Sequence, residues 1–178
     1  MRKQLLFIAL LVAGTCLNSF SQQKTAKLFP DSLVQPRMRV IIDNDFGGDP
    51  DGLFELVQHL LSPSVEIRGI IGSHLRAGDG WDPSKESAAH AKQKIEEVLK
   101  IMNLGNVYPV YQGSNIALEN DSTAQRSDAA NAIVKEAMRD DTKLPLYVVC
   151  GAGLTDIASA YLLEPKIASR LTLIWIGG

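Results

Sequence analysis

Four carboxylates, Asp43, Asp45, Asp49 and Asp51, fall within nine residues, directly behind the apolar run Val40-Ile41-Ile42 and among the glycines Gly47, Gly48 and Gly52. Acids packed this closely repel one another. The arrangement is cheap only if they stay in water or share a cation. A hard cation such as Ca²⁺ gathers oxygen ligands at about 2.3–2.6 Å, and carboxylates suit it. A bound cation lowers the pKa of its water, and a neighbouring carboxylate can take the proton. These residue types therefore permit metal-assisted attack by water. The plain alternative is a solvated turn in which Asp acts as turn former and helix starter.

The elements that must position the acids can be read outward from them. Arg39–Asn44 reads as a strand with no alternation of apolar and polar residues, which suits a central parallel strand covered on both faces. The crevice beyond the carboxyl end of such a strand is where α/β sheets bind ligands. Leu53, Leu56, Val57, Leu60 and Leu61 recur at three- and four-residue intervals and predict a helix over Gly52–Leu61, stopped by Ser62-Pro63. Further along, strands are predicted at Val65–Ser73, Val107–Gln112, Leu144–Cys150 and Leu171–Ile176. Helices are predicted at Lys85–Met102, at Ser127–Arg139 with Ser127 as N-cap, and at Gly153–Leu163. Strands alternating with helices imply an open, mainly parallel α/β sheet with helices on both faces, a Rossmann-like architecture.

Composition narrows the function classes. The chain has 178 residues, 46% of them hydrophobic and 21% charged, as in an ordinary globular protein. A formal net charge of −2 gives no basic footprint for nucleic acid. Met1-Arg2-Lys3 followed by Leu5–Val12 reads as a secretory signal peptide over residues 1–21, too short for stable membrane insertion. Its removal takes away Arg2 and Lys3 and no acid, lowering the net charge by two further units. Residues 22–38 read as an exposed leader and residues 39–178 as the domain. The expected destination is periplasmic or extracellular. Acylation at Cys16 is the less favoured route, because Ala13-Gly14-Thr15 is a poor lipoprotein signal. Loss of Cys16 leaves Cys150 alone in an apolar strand, where a small buried thiol is expected.

Three segments carry a family likeness. Asp43-Asn44-Asp45-Phe46-Gly47-Gly48-Asp49 resembles the Asp-x-Asp-Pro-Gly-x-Asp-Asp signature of the nucleoside hydrolases, the inosine–uridine-preferring N-ribohydrolases. Phe46 replaces the proline, Pro50 stands where the last Asp is expected, and a one-residue insertion would restore Asp51 to that role. Tyr108–Gly113 resembles the family's Pro-Val-x-x-Gly strand. Leu146–Ala158, then Leu163-Glu164-Pro165 and Leu173–Gly178, is similar to its Gly-Pro-Leu-Thr-Asn-Ile-Ala…Glu-Pro…Ile-Met-Gly-Gly block. The likeness runs from about Arg39 to Gly178. The family continues for nearly as much chain again, and that portion supplies another metal-binding Asp, a neighbouring His, and the Asn and Glu that grip the sugar. The resemblance thus implies an N-terminal portion, truncated at its C-terminus and expected to be inactive alone.

It also implies hydrolysis of the N-glycosidic bond of a nucleoside or related riboside, using Ca²⁺. Asp45 becomes a metal ligand and the base for water. Asp49 contacts ribose hydroxyls near the ion, Asp51 is a further ligand, and a backbone carbonyl around Gly151 is the main-chain ligand. Asp43 is a supporting acid that orients the loop. The family forms dimers and tetramers, so a homo-oligomer is left open. The family's sugar-binding Asn after the second strand is absent from Gly72–Gly78, where Ser73 or His74 is left as a polar candidate. Its Asn after Leu-Thr is Asp156 here, read as a helix-start acid. Two other readings stand beside this one. In a haloacid-dehalogenase-like phosphatase Asp43 would be the nucleophile; in a calcium-dependent sugar-binding module nothing would be cleaved. Trp81 is a candidate wall for a flat base, Trp175 is expected in the core, and His59 and His90 are expected at the surface or in packing.

Overall fold

The computed structural model describes residues 34–177, so the expected signal peptide and most of the leader lie outside the described residues. Five strands form one parallel sheet: β1 (Met38–Asn44), β2 (Val65–Gly72), β3 (Val110–Gln112), β4 (Leu146–Cys150) and β5 (Leu171–Trp175). The helices are α1 (Asp51–Leu60), α2 (Ser87–Ile101), α3 (Asp128–Ala137) and α4 (Thr155–Leu163), followed by a 3₁₀ turn at Pro165–Ser169. Strand order is β3-β2-β1-β4-β5. The chain builds outward from β1 on one side, then returns to its other side. The order reverses between β1 and β4, and that is where an open α/β sheet leaves a ligand crevice.

The predicted open α/β sheet is what forms, with helices on both faces. Val40 and Ile42 point into one core with Phe46, Leu56, Leu60, Ala91, Ile95 and Leu99, under α1 and α2. Ile41 points the other way, onto Ala130, Ile133, Ile157 and Ile167 of α3, α4 and the 3₁₀ turn. An all-apolar β1 is thus the consequence of two covered faces. Ile67 and Ile70 of β2 share one face although they are three residues apart, because the β1–β2 register slips between Val40 and Ile41, leaving Arg68 as the extra residue. A bulge of this kind restores the alternation.

At the amino ends of the strands, Arg39 is buried and donates to Glu136, to the Glu136 carbonyl and to Leu144 O. Arg68 and Arg139 also pair with Glu136. Neither charge is left unpaired, which is the condition for burying them. Ser127 caps α3, its hydroxyl accepting from Ala130 N–H at 2.9 Å.

Several boundaries differ from the sequence reading. β3 begins at Val110 rather than Val107, since Val107 N–H turns back to Leu104 O. α2 begins at Ser87, because Ser84 and Asp82 hold the preceding backbone in side-chain-bonded turns. Trp175 is a correction: it is half exposed, not core, because β5 is the outer strand of the described sheet and nothing described covers its far side. Among the described residues no helix is long and apolar enough to cross a membrane.

Candidate functional site

The acidic loop leaves β1 at the reversal point. Asp43 pairs in register with Cys150, and Gly151 N–H donates to Asp43 O at 3.0 Å, so the turn after β4 lies against the start of the loop. Ser73 N–H donates to Asn44 O at 2.9 Å from the other side. The loop is therefore gripped by backbone bonds from both neighbouring strands. Gly48 N–H closes it onto Asp45 O at 2.6 Å.

A cavity of about 850 Å³ opens here, with Asp45, His74, Asp79, Ser87, Asn115 and Gly153 on its wall. Asp45 is half-buried, and its carboxyl is pushed up to about 6, first by burial and then by the charges of Asp49, Asp51 and Asp79. Asp49 and Asp51 are exposed and lie outside the cavity wall. Interaction with the neighbouring Asp51 carboxyl raises the proton affinity of Asp49. The oxygen-donor chemistry of Asp45, Asp49 and Asp51 matches a hard cation. However, among the described residues no three His, Cys, Asp or Glu side chains are grouped so as to hold one.

Asp43 lies beneath the loop, fully buried, accepting from the Ser73 hydroxyl and facing the Cys150 thiol. Burial raises its proton affinity, and so does the charge of Asp156. Its bonds run to strand ends rather than into the loop, so it anchors the floor of the site. A carboxylate 1% exposed is a poor setting for the accessible nucleophile that the phosphatase alternative needs. Burial likewise pushes the Cys150 thiol well above the usual range, so it is no thiolate nucleophile.

Asn44 escaped the sequence reading. Its Oδ1 accepts from Asp45 N–H at 2.9 Å and its Nδ2 donates to Glu55 Oε2 at 2.8 Å, linking the loop to α1. Gly52 and Gly151 make room for it: a Cβ on Gly52 would lie 2.9 Å from Asn44 Nδ2, and one on Gly151 would overlap the amide. The only sequence signal was two glycines whose partner lies 107 residues from one of them. His74 faces the cavity, its Nδ1 donating to Leu75 O and its Nε2 accepting from Thr155 Oγ1, both at 2.9 Å. Ser73, the other polar candidate, is buried against Asp43. Trp81 is exposed and is not on the cavity wall. His59 binds Glu55 O on its own helix, and His90 pairs with Asp82. Trp175 donates to Ala152 O at 2.8 Å, bracing the turn that carries Gly151.

No family model matches the chain, and comparison with curated proteins returns no match. Among solved structures, the chain is similar to one described as an inosine-guanosine nucleoside hydrolase, with a TM-score of 0.57 and 17% identity over 79% of this chain. The fold is nucleoside-hydrolase-like. At that identity the likeness is one of architecture, and this chain spans 48% of the length of that one. Within this nucleoside-hydrolase-like fold, the loop from Asp43 to Asp51 occupies the crevice at the strand-order reversal.

Asp156 yields a prediction of its own. It stands in the first turn of α4 as read from sequence, but buried rather than solvated. Its Oδ1 accepts from Ser114 N–H at 3.1 Å and the Ser127 hydroxyl at 2.7 Å, while Oδ2 is buried with no partner among the described residues. Burial is the main cause of its raised pKa. An acid raised in the folded state keeps its proton after the unfolded chain has lost one. Stability therefore falls as pH climbs from the ordinary carboxylate range through the raised value, then levels. Asp156→Asn keeps the acceptor and removes the charge. It is expected to stabilise the fold at pH 8 by about 1–3 kcal/mol, the scale of an unmatched buried polar group, and to do little at pH 4. Thermal melts at the two pH values check this; an equal shift at both would contradict it.

Proposed function

We propose that this chain carries the amino-terminal part of an N-ribohydrolase site, which cleaves the N-glycosidic bond of a ribonucleoside to free base and ribose. The observation that carries the reading is Asp45: the half-buried carboxylate of the acidic loop on the wall of a cavity at the sheet's reversal point. Asp45 takes the proton of the attacking water. Positive charge developing on the ribose is favoured by the surrounding carboxylates of Asp45, Asp49 and Asp79. Asp49, exposed in the same loop, would accept from ribose hydroxyls. Asn44 and the strand-end bonds to Asp43 hold the loop still while this happens.

The proposal includes a divalent cation, Ca²⁺, with oxygen donors from Asp45, Asp49, Asp51 and the backbone near Gly151. When bound it would lower the pKa of its water. The support is the mutual repulsion of these acids, seen in the raised proton affinities of Asp45 and Asp49. Base preference between purine and pyrimidine is left to assay.

The test is calorimetric titration of the chain with Ca²⁺, alongside release of free base and ribose from inosine and uridine by the intact natural protein. Heat of Ca²⁺ binding that disappears in Asp45→Asn, together with base release, is the expected result. Ca²⁺ and ribose uptake without any cleavage by the intact protein would identify a sugar-binding module instead.

A further inference from the structure

The cavity that Asp45 lines carries a second chemistry, contributed by the loop after β2, the start of α2 and the loop after β3. Ser84 Oγ accepts from Glu86 N–H at 3.1 Å, Ser87 Oγ from Leu75 N–H at 3.0 Å, and Asn115 Oδ1 from Ala88 N–H at 3.0 Å. All three side chains line the cavity. Each has an acceptor oxygen engaged by backbone and retains its own O–H or N–H to donate. Lys85 lies among them, exposed and without an ion pair among the described residues. Arg76 borders the same space and engages Asp79 through Nε, at 3.1 Å. Asp79, which shares this wall with Asp45, also accepts from Trp81 N–H at 3.0 Å.

We infer that the cavity accepts a riboside bearing a phosphate monoester, with the phosphate on the donor wall of Arg76, Ser84, Lys85, Ser87 and Asn115. The sugar end rests on the function proposed above, with Asp45 beside it. A neutral sugar hydroxyl carries no charge to meet the cations Lys85 and Arg76 on this wall. A phosphate oxyanion accepts only, and its bonds to charged donors are roughly twice as strong as neutral ones. Lysine suits it as a point charge. A volume of about 850 Å³ is towards the upper end of ligand pockets, roughly 300–1,000 Å³, and accommodates a sugar together with its phosphate.

Calorimetry on the full chain with ribose 5-phosphate, ribose and inorganic phosphate tests this. Ribose 5-phosphate is expected to bind about tenfold or more tightly than either other probe, an advantage that shrinks with added salt. Lys85→Gln, at an exposed position, is expected to remove that advantage and leave ribose binding unchanged. If ribose and ribose 5-phosphate bind equally, or Lys85→Gln matches the parent, the phosphate wall is overturned while the sugar site stands. If inorganic phosphate binds as tightly as ribose 5-phosphate, the site holds a free anion and the sugar-phosphate assignment fails, while the ribose arm still reports on the sugar site.

Discussion

Asp45→Asn is expected to reduce base release from inosine or uridine by about 10²–10⁴-fold in the intact protein, the range that a positioned general base contributes, with the fold unchanged. The two side chains have the same shape, so the bond from Gly48 N–H to the Asp45 carbonyl and the bond from its own N–H to Asn44 are both kept. What is lost is the negative charge, and with it the capacity to take a proton and to hold the proposed cation. The stability of the variant is expected to equal or slightly exceed that of the parent, because the carboxylate it removes is held in its place against burial and three neighbouring acids. Steady-state kinetics with a thermal melt checks both halves. Near-normal turnover would show that another group deprotonates the water. Lost turnover with a collapsed melting temperature would show that Asp45 holds the loop rather than the proton.

The parts of this molecule legible in sequence are those where local pattern and tertiary demand coincide. Val40-Ile41-Ile42 announced a strand covered on both sides, and each of its residues is buried against one helical layer or the other. The leucine spacing of α1 and the Ser127 cap follow from local geometry alone, and both fall within a residue of the reading. The family likeness pointed to the architecture that the solved nucleoside hydrolase shares. What was hidden depends on contacts distant in sequence. Asp43 and Asp45 are two residues apart in one motif, yet one is sealed under Ser73 and Cys150 and the other lines the cavity. Nothing in their spacing distinguishes them. Asp49 and Asp51 belong to the same cluster but lie outside the cavity wall, because Pro50 carries the chain straight into α1. Asp156 reads locally as a helix-start acid. Its burial is decided by Ser114 and Ser127, which approach from 42 and 29 residues away. Trp175 misled because apolar strand residues are core only when something covers both sides.

Gly72→Ala is expected to destabilise the fold by about 3 kcal/mol, the upper part of the usual range for overpacking, and to lower the melting temperature by roughly 6–12 °C for a domain of this size. The reason lies where β2 ends under α2. A Cβ at Gly72 would meet Lys92 N at 2.5 Å, the Ala91 carbonyl carbon at 2.9 Å and Ala91 Cβ at 3.0 Å. These are mainly helix backbone atoms, so no flexible side chain can swing aside. Either α2 lifts from the sheet or β2 shifts its register. The first loosens the packing of Ala91, Ile95 and Leu99 over β1 and β2. The second breaks the bond from Gly113 N–H to Gly72 O, which ties β3 to β2. Moving α2 also displaces Ser87 and the Ala88 N–H that donates to Asn115 Oδ1, and both Ser87 and Asn115 line the cavity, so ribose 5-phosphate affinity should fall along with stability. Denaturant titration, with midpoint and slope compared against the parent, separates a lower stability from a change of compactness. A midpoint unchanged from the parent would mean that α2 is not packed on β2 as closely as the Gly72 contact requires.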